Sequence, residues 1–491
     1  MKPNKLSKLL GFIPQPNLLY NFCNLHKETI LIFLMKNLRK SLSIPFLFTL
    51  LLSSKLFAQI YTDITKPNTL AYNDFISGNF RTQYEGRWGG DENDHDMYEY
   101  LSFKTKDFFH DKVTIAGSGR LSEDFDGHED KNGAFRDILD SYDRSYNGRV
   151  YFLYADIKDP VIDKSSLRVG RQYQYSIETI LFDGAKYEQK IGILDTYVFG
   201  GLRASQYTNT YFDTVAGSGI SIRPFMDTRM NLDYVRIIDD EFIDDEVGFN
   251  VWQRIYEDLN FYGRYTLLNT VSKDFLVKLS WDKIDWDASV QLSYYRFLNS
   301  LAEQSNNISP ISEILNTFEP FDLISLTGHK GWGEKFEVSS GIDRRNVLEK
   351  EDENTFNRDY YRTFFSFMTY NILLKESKVT FTVEYWNIKG VDHSTDANVD
   401  FDKKIGKFDI GLGTGYSFYK FNFTGSNDLA FLENSELEED VVQKINVRTY
   451  YLRIKYLLTE QSNVSLRWIS EVSDTDPETF HQLVVSYNKS F

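Results

Sequence analysis

Charged side chains recur at alternate positions along several stretches of this 491-residue sequence. In residues 80–88, Arg81, Glu85 and Arg87 would share one face of a β-strand, because successive side chains of a strand point to opposite sides. Such a row could line a water-filled channel, where it would set ion selectivity or guide an anionic solute. The alternative is that arginine and glutamate side chains pair with one another and hold the wall of the channel round. The candidate lining residues are Arg81, Glu85, Arg87, Arg264, Arg362, Glu384, Arg453, Lys455 and Arg467.

Acidic residues are concentrated in five stretches, 91–96, 123–130, 239–246, 349–353 and 433–440. Their first interpretation is a solvated, charged rim that keeps the protein from aggregating. A second interpretation is calcium binding, because Asp124, Asp126 and Asp130, with Gly127 among them, offer oxygen ligands at short spacing. The EF-hand spacing, with glycine at the sixth position and glutamate at the twelfth, is absent.

Catalytic chemistry has little support in the sequence. The histidines beyond residue 58 are far apart, and there is no nucleophile elbow, phosphate loop or His-Glu-x-x-His helix. The one cysteine, Cys23, lies near the N-terminus, so disulfides, thiolate metal sites and covalent c-type haem are not expected further along. We therefore expect neither an enzyme nor a cofactor.

The elements that would position the charged rows are alternating strands. The same alternation recurs in residues 259–267, 275–282, 288–295, 379–386, 450–456 and 464–468, and it is poorer in 151–156 and 398–404. Short and long links alternate between the strands, and counting on that parity from Ser77 gives 22, or 18 to 20 if the weakest hairpins are lost. No proline falls inside a predicted strand. We expect Phe381 and Val383 on the outer face and Thr380 and Glu384 on the inner one.

The last strand gives the first resemblance. Leu483, Val485, Tyr487 and Phe491 share one face, and the chain stops on the aromatic residue. This ending resembles the C-terminal signal of Gram-negative outer-membrane β-barrel proteins, although Lys489 stands where that signal has an apolar residue. The resemblance implies an all-β fold, a single antiparallel transmembrane barrel with short periplasmic turns and long acidic extracellular loops, inserted by the barrel-assembly machinery.

A second resemblance lies in residues 167–172, followed by 181–184, which look like the Gly-Arg-Gln stretch of some porins and alginate-export-type channels. Strict alternation would put Arg171 on the lipid side of the wall. We therefore expect a β-bulge at Gly170 that returns Arg171 to the lumen.

The N-terminal region reads as a targeting segment. A basic region after Met35 and an apolar run over 42–52 predict a signal peptide, 35–58, cleaved after Ala58. Residues 1–34 are then a leader of unclear role, best explained by a start codon placed too early; 59–76 is a short periplasmic segment and 77–491 the barrel. The processed chain would carry 47 basic and 70 acidic side chains, a net charge of −23, which argues against a nucleic-acid partner.

The function expected from these patterns is a porin-like outer-membrane channel for passive passage of small polar or ionic solutes. We expect a weak anion preference, set by the lining arginines. The alternative is a structural barrel that sheathes a periplasmic partner, such as a multihaem cytochrome, in an electron conduit. A long loop that folds inward and narrows the lumen would favour the channel, whereas a wide lumen would favour the sheath.

Overall fold

The computed structural model describes residues 75–90, 92–106, 108, 112–125, 146–204, 213–238, 243–298, 320–348, 358–388, 393–423, 441–474 and 479–491, without the side chains of 419–423 and 441–444. The predicted leader (1–34) and signal peptide (35–58) lie outside these ranges. In the described part of the chain, no helix is long and apolar enough to cross a membrane. The strands are β1 Ile76–Gly89, β2 Glu92–Thr105, β3 Val113–Asp124, β4 Tyr146–Lys158, β5 Ser165–Tyr175, β6 Thr179–Ile191, β7 Leu194–Arg203, β8 Thr214–Phe225, β9 Thr228–Ile238, β10 Ile243–Tyr256, β11 Leu259–Leu268, β12 Val271–Lys283, β13 Ala288–Phe297, β14 Phe321–Trp332, β15 Phe336–Val347, β16 Tyr360–Tyr370, β17 Ser377–Ile388, β18 His393–Ile405, β19 Phe408–Phe423, β20 Val441–Thr459, β21 Ser462–Ser473 and β22 Phe480–Ser490.

The strands form one closed sheet. Each pairs antiparallel with the next along the chain, and β1 pairs antiparallel with β22, so the sheet has no free edge. This confirms the predicted all-β fold, a closed antiparallel barrel of 22 strands, and excludes the smaller counts.

The two ends of the barrel differ. At the turn end, which also holds the start of β1 and the end of β22, the links are two to seven residues long. At the opposite, loop end the links reach 23 residues, between β13 and β14. The predicted contrast between short and long links holds for the five loop-end links after β3, β7, β13, β15 and β19, which have 10 to 23 residues, whereas the six after β1, β5, β9, β11, β17 and β21 have only two to six.

The two faces of the wall differ as the alternation predicts. Large apolar side chains on one face are exposed, for example Phe381 at 38% and Val399 at 45%, which pair across β17 and β18. The intervening Thr380 and Glu384 are half-buried and lie on the opposite face. Since the convex side of a closed barrel is the more exposed one, the apolar face is the outer face and the polar face lines the lumen.

Two irregularities mark where the sequence pattern failed. The pairing of β3 with β4 shifts so that Ser118 lies opposite Phe152 and Gly119 opposite Val150, which leaves Tyr151 as a bulge residue. This bulge explains the poor alternation in residues 151–156. Pro224, expected outside the strands, is the penultimate residue of β8, where its missing N–H coincides with a shift in the pairing with β9.

Part of the inner face is apolar. Seven buried side chains from β6, β7, β8, β9 and β11 pack together, and the rings of Phe182 and Phe199 are 5.2 Å apart. Six of the seven lie on the consecutive strands β6 to β9, where side chains on the same face of adjacent strands are close enough to pack. The members are Ile180, Phe182, Phe199, Val215, Val235, Ile237 and Leu268.

Candidate functional site

The seam between β1 and β22 carries a chain of polar inner-face contacts. Arg81 donates to Gln83, Gln83 Nε2 donates to Glu85 Oε2 at 3.3 Å, and Gln482 Nε2 donates to Glu85 Oε1 at 2.5 Å. Arg467 Nη2 continues the chain with a 3.4 Å hydrogen bond to Gln482 Oε1. The two arginines at the seam thus bond to amides, and Glu85 is the carboxylate between them.

Arg87, two residues after Glu85 on β1, contacts carboxylates. Its Nη2 forms an ion pair with Asp94 and lies 2.9 Å from Asp96 Oδ2. Tyr98 donates to the same Asp96 oxygen at 2.9 Å. Both carboxylates are buried, so this guanidinium is held between two acids of β2.

Arg362 bridges three strands. Its guanidinium donates to Asp343 on β15 at 2.9 Å and to Glu384 on β17 at 2.7 Å. Trp386 donates from its indole nitrogen to the same Glu384 carboxylate, and the guanidinium lies 5.1 Å from the Trp386 ring. The pair predicted as separate lining residues, Arg362 and Glu384, is therefore one cross-strand network.

The remaining predicted arginines of the inner face are also paired. Arg453 lies 2.9 Å from Asp402 and 3.7 Å from Asp400, both on β18. Arg264 lies 3.0 Å from Asp274 on β12. The structure thus places Arg81, Glu85, Arg87, Arg264, Arg362, Glu384, Arg453 and Arg467 on the inner face, where most of the arginines contact carboxylates.

One buried ion triad was not predicted. Lys273 on β12 pairs with both Glu246 on β10 and Glu178, which lies in the link between β5 and β6. The lysine and Glu246 side chains are 6% and 0% exposed. Glu178 and Lys273 are 95 positions apart, so no periodic pattern in the sequence predicts their contact. The only local irregularity was the pair Lys273-Asp274, two successive charged residues within a strand.

A cavity of about 660 Å³ lies against the inner wall. It reaches from Ser176, in the β5–β6 link, down to Lys164 and Lys190 at the turn end. Hydroxyl, amide and charged groups dominate its lining, which β5 to β10 provide. The inner face therefore offers a polar recess as well as charged rows.

Arg171 lies on the outer face of the wall, contrary to the prediction. Gly170 has a positive φ of 128°, but β5 pairs with β4 and β6 without a shift in register. Arg171 therefore stays opposite Leu153, which is 48% exposed, on the outer face. It forms two hydrogen bonds with Asp183 there, at 2.7 and 2.6 Å, so the expected bulge at Gly170 and the lumen position of Arg171 are wrong.

The C-terminal residues lie as their alternation suggests. Leu483, Val485 and Tyr487 lie opposite Gly86, Tyr84 and Thr82 on the outer face of β1. Lys489 continues the same face, opposite Phe80 near the turn end. Phe491 reaches Gly78, with which it exchanges two backbone hydrogen bonds.

The described residues contain neither a calcium site nor a cluster of histidines. Asp124 ends β3 and is buried, whereas Asp126 and Asp130 lie outside the described residues. Within the described ranges, no group of three or more His, Cys, Asp or Glu side chains could hold a metal ion. His95, His329, His393 and His481 lie on four different strands, β2, β14, β18 and β22.

The chain is similar to known proteins in structure but not in sequence. No protein-family model matches the sequence, and no curated protein matches it. The outer membrane protein OpdK of Pseudomonas aeruginosa is similar at 11% identity and a TM-score of 0.38, over 85% of this chain and 99% of that one. OccAB3 of Acinetobacter baumannii is similar at 12% identity and 0.39, over 85% and 99%. The translocation pore of the P pilus usher PapC is similar at 10% identity and 0.44, over 85% and 100%.

Proposed function

We propose that this chain is a porin-like channel of a Gram-negative outer membrane, through which small polar or ionic solutes cross passively. The observation that carries the proposal is the division of a closed wall into an apolar outer face and a charged inner face. An aqueous lumen bounded by a lipid-facing wall requires this division. Single-channel recording of the purified protein in planar bilayers tests it. Discrete conductance steps that scale with salt are expected, and a folded barrel without conductance would contradict the proposal.

The proposal includes the route to the membrane. Secretion would use the signal peptide at 35–58, and the barrel-assembly machinery would act on the last strand, whose apolar residues share the outer face. We expect a processed N-terminus near Gln59 and recovery of the protein with outer membranes. N-terminal sequencing of material from that fraction is the direct test, and retention of Met1 or Met35 would exclude this route.

The alternative is a sheath around a periplasmic cytochrome. The inward link between β5 and β6 has only three residues and is not the long loop expected of a porin, but it and the apolar cluster beneath it occupy part of the lumen, which supports the channel. A sheath would instead purify from its native membrane as a haem-containing complex. The absorbance spectrum of the native complex therefore separates the two functions.

The pairing of the lining residues changes the expected ion selectivity. At the seam two arginines flank one glutamate, but Arg87, Arg362 and Arg453 each contact two carboxylates. Where carboxylates outnumber arginines on a low-dielectric wall, the excess negative charge acts strongly on a permeant ion. We therefore propose a weak cation preference in place of the anion preference that the arginines alone suggested.

A further inference from the structure

The link between β5 and β6, residues 176–178, reaches far across the inner face; we name it the tip. Glu178 of the tip pairs with Lys273 on β12. Six inter-strand spacings separate β6 from β12, which corresponds to roughly 29 Å along a cylindrical wall at about 4.8 Å per strand. The tip and the curl of the wall together close that distance.

Apolar packing seats the tip on the opposite strand. Ile177 lies against the backbone of Gly248 on β10, so closely that a Cβ built on Gly248 would be 2.5 Å from Ile177 Cγ1. Ile177 also packs against the apolar cluster of the inner face. Glycine at 248 is therefore what permits this approach, because any larger residue would push the tip away.

An ionic latch holds the end of the tip. Lys273 is the bulge residue of β12, since Thr266 pairs with Asp274 and Leu267 with Ser272. The bulge turns both Lys273 and Asp274 towards the lumen. Lys273 then pairs with Glu178 of the tip and with Glu246, so that one ammonium joins the tip to β10.

The cavity beneath the tip presents balanced charge. Its lysine Lys190 lies 3.7 Å from Asp195, and Tyr197 donates to Asp233 at 2.7 Å. Arg229 donates to Ser221 at 2.9 Å and to Asn231 at 3.1 Å. Three basic and three acidic residues line the cavity in all: Lys164, Lys190, Arg229, Glu188, Asp195 and Asp233.

We propose that this cavity binds an uncharged, polyhydroxylated solute of monosaccharide size, and that the tip, latched by Lys273, forms its roof. Equal numbers of acidic and basic side chains give the lining no net charge, and its hydroxyl, amide and charged groups offer lone pairs and N–H groups that match sugar hydroxyls. The volume falls within the range of about 300–1,000 Å³ that is usual for small-ligand sites. The inference rests on the proposed channel function, because it names a solute that the channel would pass.

Titration calorimetry of the detergent-purified barrel with three sugars of equal size tests the chemistry. Glucose should bind, while gluconate and glucosamine, which carry one negative and one positive charge, should bind at least about tenfold more weakly, a difference of about 1.4 kcal/mol. Asn231→Leu, which replaces an amide of the lining with an apolar side chain, should abolish glucose binding. Asn260→Leu on the inner face of β11 is the matched control and should leave it unchanged.

Lys273→Ala tests the roof. It leaves Glu178 and Glu246 facing each other as like charges, so the tip should lift and glucose affinity should fall about tenfold. Lys278→Ala removes the same charge from the same inner face of β12 and should have no effect. Ile177→Cys with Gly248→Cys should restore affinity in the Lys273→Ala background when oxidised, because Ile177 Cβ lies 3.5 Å from the Cβ position of residue 248, within disulfide range.

The two proposals fail in different ways. A folded barrel that conducts but binds none of the three sugars, or binds gluconate as well as glucose, overturns the sugar site. Unchanged affinity in Lys273→Ala, with native electrophoretic mobility, overturns the roof. A barrel that binds glucose but never conducts overturns the channel and leaves the binding chemistry standing.

Discussion

The last residue, Phe491, exchanges backbone hydrogen bonds with Gly78 on β1: Gly78 N donates to Phe491 O at 2.8 Å, and Phe491 N donates to Gly78 O at 3.0 Å. The barrel is therefore closed to the end of the chain. A Cβ on Gly78 would lie 2.6 Å from Cζ of the Phe491 ring, and closer still to the backbone oxygen of Ser102 on β2. A side chain at position 78 would therefore overlap with the Phe491 ring where β1 meets the end of the chain.

Enlarging Gly78 should weaken closure. We expect Gly78→Val to clash with the Ser102 backbone oxygen and the Phe491 ring and to lower the yield of folded barrel several-fold. Phe491→Ala should lower it through lost apolar burial, of about 1–3 kcal/mol. The measurement is the fraction of protein that keeps its compact mobility in unheated gel samples. Ser490→Ala, at an exposed neighbouring position, is the control. Full folding of Phe491→Ala would show that the last side chain is dispensable for closure.

The orientation of the wall gives a second prediction. A water-soluble thiol reagent should label Glu384→Cys, on the inner face, and spare Phe381→Cys, whose side chain would face lipid. The experiment is clean because Cys23 is the one native cysteine and lies in the expected leader. Labelling is measured in vesicles by mass spectrometry. Fast modification at 381 with protection at 384 would invert the two faces.

How far the sequence could predict this molecule depends on the range of the interaction. Strand number and the two faces follow from alternation within each strand, which is a local property. The bulges at Tyr151 and Lys273 depend on the register of a partner strand. In the sequence they are visible at most as a break in the alternation of apolar and polar residues. The contact of Glu178 with Lys273 depends on the curl of several strands, and no local pattern encodes it. For Arg171, strict alternation was right and the inferred bulge was not.

Ion selectivity gives a third prediction. Arg81→Gln with Arg467→Gln removes the two arginines that flank Glu85 at the seam, so the cation preference should increase. Replacing Arg264 with Gln and Asp274 with Asn removes a balanced pair and should change it little. Reversal potentials across a salt gradient measure both. An anion preference in the native protein, or equal shifts in the two variants, would mean that other charges set the selectivity.

The outer-face pair of Arg171 and Asp183 gives the last prediction, since it would lie against lipid. Arg171→Leu leaves the Asp183 carboxylate without its two hydrogen bonds, at a cost of about 2–4 kcal/mol in the free energy of unfolding, because lipid cannot solvate a lone charge. Replacing both residues with leucine should recover that stability or exceed it, since apolar side chains suit the lipid face. Arg453→Leu is the control: its guanidinium is 48% exposed to the lumen, where water can solvate the remaining carboxylates, so the loss should be about 1 kcal/mol or less. Urea unfolding in lipid vesicles measures all three variants. A double variant as unstable as Arg171→Leu, or a single variant no worse than Arg453→Leu, would place the Arg171 pair in water.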